Sequence, residues 1–289
     1  GATHHGFMPI IEALAKHQVD PESGLQYHVD NEPKVLKTGL FGWYGARTRK
    51  WGFSKTPDID NPEFVQRVVK ESCPDDGKKH VLIEWASFPS GHEDDPRSYR
   101  VRRQHEWLSM TAEEIANNNE AQQQPFNVTA FVQAYSPYVD IKFIVIHRPF
   151  LETIASHHKW DEGPEVHSNV IRGFMLILHR FLNAHPVDLL TGSRLWTLVC
   201  IEKIMAKNYR NEEDVTVARQ NVVSHLSEFL GWPVRECPHC FNMWRESRKD
   251  PLKVLGPQNV EMLVDHMKLL EGVWPPTVEE GIAVQQCGI

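Results

Sequence analysis

The chain has 289 residues, 41% hydrophobic and 24% charged, which is enough to bury one large α/β core. A net charge of −7 leaves no overall basic field for nucleic acid or an anionic membrane surface, so an anionic ligand has to be held by local cations or backbone amides. No apolar run reaches the roughly 20 residues that span a bilayer, and five cysteines are too few, and odd in number, for a disulfide scaffold.

Residues 1–16 read as a tight turn into a helix, with Phe7, Ile10, Ile11 and Leu14 at helical spacing. Residues 35–41 suit a short strand, and 42–62 mix Gly, aromatic and basic residues as an irregular loop does. A short helix is predicted over 63–71, with Phe64, Val65, Val68 and Val69 on one side. After the turn-like Pro74-Asp75-Asp76-Gly77, the compact run Val81-Leu82-Ile83 reads as a buried strand. Residues 89–103 are polar and charged and suit a surface loop or lid. Residues 113–124, with Asn117-Asn118-Asn119 and Gln122-Gln123-Gln124, read as a flexible stretch.

The clearest strand is 141–146, apolar and β-branched, with a helix after it. Residues 168–183 form an amphipathic helix through Ile171, Phe174, Met175, Leu178, Phe181 and Leu182. A buried strand follows at 195–201, then a helix over 214–230 that Gly231-Trp232-Pro233 stops, and a last helix over 260–270. Short apolar strands alternating with longer helices imply an α/β fold, with a parallel sheet covered on both faces. No linker is visible, so 1–289 reads as one domain. In such folds ligands sit beyond the C-terminal ends of the strands, which is where the chemistry is expected.

Cys237-Pro238-His239-Cys240 is a lone cysteine pair, open to four readings: a redox motif, half a zinc site, a local disulfide or two free thiols. No second pair has zinc spacing, so no metal is expected. Asn127-Val128-Thr129 is a glycosylation sequon, meaningful only in a secreted chain.

The residues with most chemical content lie in 142–158. A buried strand ends at His147-Arg148, Pro149 opens a helix, and Ser156 follows eight residues after Arg148. A strand-end arginine and a hydroxyl on the next helix can clamp a phosphate, because the guanidinium fork binds two oxygens at once. The same segment also suits a plain salt bridge and an ordinary helical serine. This spacing resembles the 3′-phosphate motif of the PAPS-dependent sulfotransferases, except that proline comes immediately after the arginine instead of one residue later. Gly1-Ala2-Thr3-His4-His5-Gly6-Phe7 resembles that family's 5′-phosphosulfate loop, where free amides at a helix N-terminus hold an anion. His4-His5 replaces the family's usual residues. The lysine before the glycine and the strand before the loop would lie upstream of residue 1, so the domain is expected to be truncated at its N-terminus.

Glu84, after Val81-Leu82-Ile83, matches the catalytic base of the carbohydrate branch of the family, with Trp85 in place of the family's lysine. Lys37, in Pro33-Lys34-Val35-Leu36-Lys37, matches a lysine of the same branch. The late strand ending in Glu202, the helix ending Phe229-Leu230-Gly231, and Ser247-Arg248-Lys249 resemble the remaining family segments in order.

The resemblance implies a P-loop-like three-layer sandwich and in-line sulfuryl transfer from PAPS to an acceptor hydroxyl, a carbohydrate being favoured, without a metal. It implies Glu84 as base, with Lys37 and His4 at the transferring group. Gly1, Thr3, His4, His5 and Gly6 would lie at the 5′ end of the nucleotide, and Arg148, Ser156, Arg248 and Lys249 at its 3′-phosphate. No nucleic-acid partner and no membrane contact by this segment are implied, and the location is the Golgi lumen, with the cytoplasm as the alternative. Two other classes stand beside it. A P-loop phosphotransferase would carry Gly-x-x-x-x-Gly-Lys-Ser/Thr, which the chain lacks. A sulfotransferase fold degenerated to binding alone would explain His4-His5 and Trp85.

Overall fold

In the computed structural model, which describes residues 3–30, 61–83, 114, 128–157, 163–185, 187, 192–242, 244 and 249–271, helix α1 runs Thr3–Lys16. Its apolar residues Phe7, Ile10, Ile11 and Leu14 fall on one stripe, and all four are buried. A tight turn follows, in which the Asp20 carboxylate accepts from the Ser23 amide and hydroxyl. The turn leads to strand β1, His28–Asp30, which no sequence pattern had announced.

Helix α2 spans Pro62–Ser72. Asn61 caps it by accepting from the amides of Glu63 and Phe64, and Pro62 takes the first position, where its missing N–H costs nothing. Pro62 thus opens this helix instead of ending the loop expected over 42–62. Strand β2, His80–Leu82, pairs in parallel with β1, Val29 opposite Val81. Helix α3, Val128–Tyr135, comes next, then strand β3, Phe143–His147. Helices α4, Phe150–His157, and α5, Pro164–Ala184, carry the chain to strand β4, Trp196–Cys200. β4 lies parallel to β3, with Phe143 opposite Trp196 and His147 opposite Cys200.

Two short 3-10 segments, Ile201–Ile204 and Ala206–Asn208, lead into α6, Glu212–Leu230. Helices α7, Pro251–Leu255, and α8, Pro257–Lys268, close the described chain. The expected strand at 35–41 and most of the loops at 42–62, 89–103 and 113–124 lie outside the described residues.

The strands divide their side chains by period two between two apolar clusters. Ile144 and Ile146 of β3, Val199 of β4, Val29 of β1 and Val81 of β2 face α1 and the Val222, Val223 and Leu226 stripe of α6. Phe143, Val145, Trp196, Leu198 and Leu82 join the other cluster, with residues of α2, α3, α4, α5 and α8. Each fully buried Leu, Ile or Phe contributes about 1.5–3 kcal/mol.

Two polar contacts tie helices into this frame. Thr197 of β4 and His225 of α6 share a 2.7 Å hydrogen bond, and Ser168 of α5 bonds Nδ1 of His266 in α8. Burial holds His225 and His266 below the ordinary imidazole range, with Arg194 and Arg172 acting in the same direction.

Of the four readings of the cysteine pair, the structure has the local disulfide: Cys237 and Cys240 are bonded and buried behind α1 and α6. Cys200 is also disulfide-bonded, to a partner outside the described residues. Cys73 is a free thiol whose pKa burial raises. Among the described residues, no group of three or more His, Cys, Asp or Glu is placed to hold a metal ion, and no helix is long and apolar enough to cross a membrane.

Candidate functional site

The segment that carries the sequence argument begins with a strand anchored at its start. The Lys142 ammonium donates to the Ser193 hydroxyl at 2.6 Å and to the Arg194 carbonyl at 2.9 Å, pinning the entry of β3 to the entry of β4. Lys142 therefore belongs to the N-terminal end of the strand. The C-terminal end is five residues on, where His147 is buried opposite Cys200 and the backbone turns at Arg148-Pro149 into α4. Proline suits this corner because its fixed φ starts a helix and no strand hydrogen bond is asked of it.

Arg148 is 9% exposed and Glu152, one turn later, 5%. Nε of Arg148 lies 3.4 Å from Oε2 of Glu152, so the guanidinium is braced by a buried carboxylate on the helix that follows it. A buried ion pair contributes little net stability, but removing one partner costs about 3–5 kcal/mol. The pair's value here is orientation.

Ser156 is half-buried on the same helix, two turns beyond the corner, and its hydroxyl donates to the Thr153 carbonyl at 2.8 Å. Its oxygen can accept as it stands, and it donates to a ligand after rotation about χ1. The Thr153 hydroxyl donates in turn to the Pro149 carbonyl at 3.1 Å, which stiffens the first turn of α4.

Of the residues expected at the 5′ end of a nucleotide, Thr3, His4, His5 and Gly6 form the first turn of α1, not a loop ahead of it. Their backbone amides include those that an α-helix leaves without intrahelical partners, so the anion-holding capacity expected of a loop belongs here to a helix start. Gly1 lies outside the described residues, as do Glu84, Lys37 and Arg248. Glu84 stands two residues after the end of β2 in sequence. Lys249 is exposed, next to Asp250, whose side chain caps α7 by accepting from the Leu252 amide. Glu202 lies in the 3-10 turn directly after β4, level with the Arg148 end of β3 by the strand register.

Arg148 stands at the corner before α4 and Ser156 near the end of that helix, and the core cluster of α1 ties α1 to the same strands. Glu152 is a residue that the Arg-to-Ser spacing does not announce. Its signal was available: an acid four residues after an arginine, in the first turn of a helix, is a natural ion-pair partner. A cavity of about 300 Å³ is lined by none of the Arg148–Ser156 residues and lies against the start of β1 and β2. No protein-family model, no curated protein and no solved structure matches the chain.

Proposed function

We propose that the chain is a PAPS-dependent sulfotransferase that transfers a sulfuryl group to an acceptor hydroxyl, a carbohydrate being favoured. The observation that carries this reading is the corner after β3: a braced, buried arginine at a parallel strand end, followed at once by a helix that carries Ser156. A P-loop-like three-layer sandwich goes with it. The division of strand side chains between two clusters, each lined by helices, supports that architecture.

In this reading Arg148 and Ser156 hold the 3′-phosphate, with Arg248 and Lys249 beside it. The start of α1, Thr3 to Gly6, holds the 5′ end through backbone amides, and His4 or Lys37 adds positive charge there. The donor set suits two phosphate groups: a guanidinium and a hydroxyl at one, a helix N-terminus at the other. Glu84 takes the proton of the acceptor hydroxyl as that oxygen bonds sulfur, and the bond from sulfur to the bridging phosphate oxygen breaks. PAP, the desulfonated nucleotide, leaves with its 5′-phosphate. The disulfides at Cys237–Cys240 and at Cys200 support an oxidising, Golgi-type compartment.

The test is mass-spectrometric. The chain is fed PAPS and an acceptor library, and sulfonated products are sought. A product formed by the wild type and lost in Glu84→Gln, with PAP affinity retained, supports the proposal. Turnover unchanged in Glu84→Gln removes the base assignment. A second reading, a fold kept for nucleotide binding alone, is favoured by Glu152, which already supplies a carboxylate to Arg148. It predicts PAP binding with no product from any acceptor.

A further inference from the structure

The cavity of about 300 Å³ is assembled from three distant parts of the chain. Tyr27 and Lys79 stand one residue before β1 and β2, and the other side is the C-terminal end of α6 with Trp232 and Arg235 behind it. The volume is at the small end of ligand pockets, right for a ligand of amino-acid size. Tyr27 and Trp232 give it two aromatic walls.

Its charges fall into two kinds. Lys79 is neutralised within the wall: its ammonium lies 2.8 Å from Oδ1 of Asp20 and 5.9 Å from the centre of the Tyr27 ring. Arg235 and Glu228 are exposed, both line the cavity, and among the described residues neither has an ion pair, with the other or with anything else. Opposite charges that line one cavity and are not joined suit a ligand that carries both. Glu228 is in the last turn of α6, where the terminal carbonyls add partial negative charge, so that side favours a cation. The Arg235 side favours a carboxylate. Ser227, in the same wall, has a buried hydroxyl with no hydrogen-bond partner among the described residues, and buried hydroxyls ordinarily have one.

The wall is also held in place without a ligand. The Gln18 side-chain amide donates to the Val234 carbonyl at 3.1 Å and accepts from the Val234 amide at 2.9 Å. Gln220 and Ser224 of α6 both donate to the Arg235 carbonyl, at 2.8 and 3.2 Å. Holding Arg235 this firmly lowers the ordering cost of binding.

We propose that this cavity binds a small zwitterion with an aromatic body, an aromatic α-amino acid, its carboxylate on Arg235, its ammonium between Glu228 and the end of α6, and its ring between Tyr27 and Trp232. A plain anion meets Glu228 and the helix C-terminus, and a plain cation meets Arg235, so each half alone is disfavoured. None of these residues lies in the Arg148–Ser156 corner, and the inference stands apart from the proposed activity.

The experiment is calorimetric titration of the full chain with L-phenylalanine, 3-phenylpropionate and phenethylamine. L-Phenylalanine should bind saturably, with each half-ligand about tenfold weaker or more. Arg235→Gln should weaken L-phenylalanine and 3-phenylpropionate about tenfold without weakening phenethylamine, and Glu228→Gln should weaken L-phenylalanine and phenethylamine about tenfold without weakening 3-phenylpropionate. Both positions are exposed, and a melting curve on each variant checks that the fold is kept. PAP affinity should be the same in both. Absence of saturable L-phenylalanine binding at millimolar concentration overturns the proposal, as does a loss in either variant that is equal for all three probes.

Discussion

The corner at Arg148 and the cavity at Arg235 each present an arginine, and they differ in how that arginine is held. Arg148 is buried and braced through its own side chain by Glu152. Arg235 is exposed and is braced through its backbone carbonyl, by Gln220 and Ser224, with its guanidinium unpaired among the described residues. A buried guanidinium cannot be left without a carboxylate, so the first design spends the arginine's charge partly on the fold. An exposed guanidinium keeps its hydration until a ligand arrives, and the backbone can fix its position at little electrostatic cost. Stability and binding are therefore coupled at Arg148 and separable at Arg235.

The largest expected effect breaks the coupled side. Arg148→Ala removes the guanidinium from a buried carboxylate and should lower unfolding free energy by about 3–5 kcal/mol in denaturant titration. Adding Glu152→Ala should recover part of that loss, because the single variant's cost is mostly the stranded charge. The doubly substituted chain is then the right background for PAP binding, which should still be lost. If the single and double variants are equally destabilised, Glu152 is not the brace described above.

A second effect separates the interior from the cavity wall by pH. His225 and His266 have lowered pKa values, each chiefly by burial, so the folded state resists their protonation. Their contribution is complete above the ordinary imidazole value of 6.5 and is lost as pH falls below it. Asp20 is held down to about 2 by the hydrogen bonds of Lys79 and Ser23, so its contribution is complete above 3.8 and is lost only as pH falls towards 2. Melting temperature should therefore fall in two stages on acidification. His225→Gln should flatten the first and leave the second. A single fall confined to pH below 4 contradicts the assignment to the histidines.

The two regions also differ in how far they could be read from the sequence. The Arg148 corner is local: strand, arginine, proline and serine fall within one short stretch, so spacing alone assembles it. The helices over 63–71, 168–183 and 214–230 were legible for the same reason, since a 3.6-residue period is a local signal; the structure adds one residue at each end of the first, four at the start and one at the end of the second, and two at the start of the third. β1 was not legible. It is three residues long, His28–Asp30, with no apolar run, and it is a strand because β2 offers it a parallel partner. The disulfide between Cys237 and Cys240 is one of four readings in the sequence, and only the folded chain, which holds their Cα atoms 5.4 Å apart with the sulfurs bonded, decides it. The cavity has no local signal at all: Tyr27, Lys79, Glu228 and Arg235 meet only when β1, β2 and the end of α6 have been placed. Even at the legible corner, the spacing gave the arginine and serine but not the competition for the arginine, because Glu152 matters only once both side chains are buried.

The smallest expected effect tests the separable side. Gly231 ends α6 with φ 67°, in the left-handed region, and its closure leaves the Trp232 amide donating to the Ser227 carbonyl at 2.8 Å. That one bond fixes where both Trp232 and Ser227 face the cavity. A Cβ added at Gly231 meets nothing within 4 Å, so the cost of Gly231→Ala is backbone strain alone, about 1–2 kcal/mol. Gly231→Asn should cost less, because asparagine tolerates this conformation. Denaturant titration should rank the three chains glycine, asparagine, alanine. L-Phenylalanine affinity should stay level between the glycine and alanine chains as long as the closure is kept, since the added Cβ meets nothing within 4 Å. An affinity that falls in step with stability would mean that the helix stop and the cavity are one cooperative unit. The arginine at 235 would then be as tightly coupled to the fold as the one at 148.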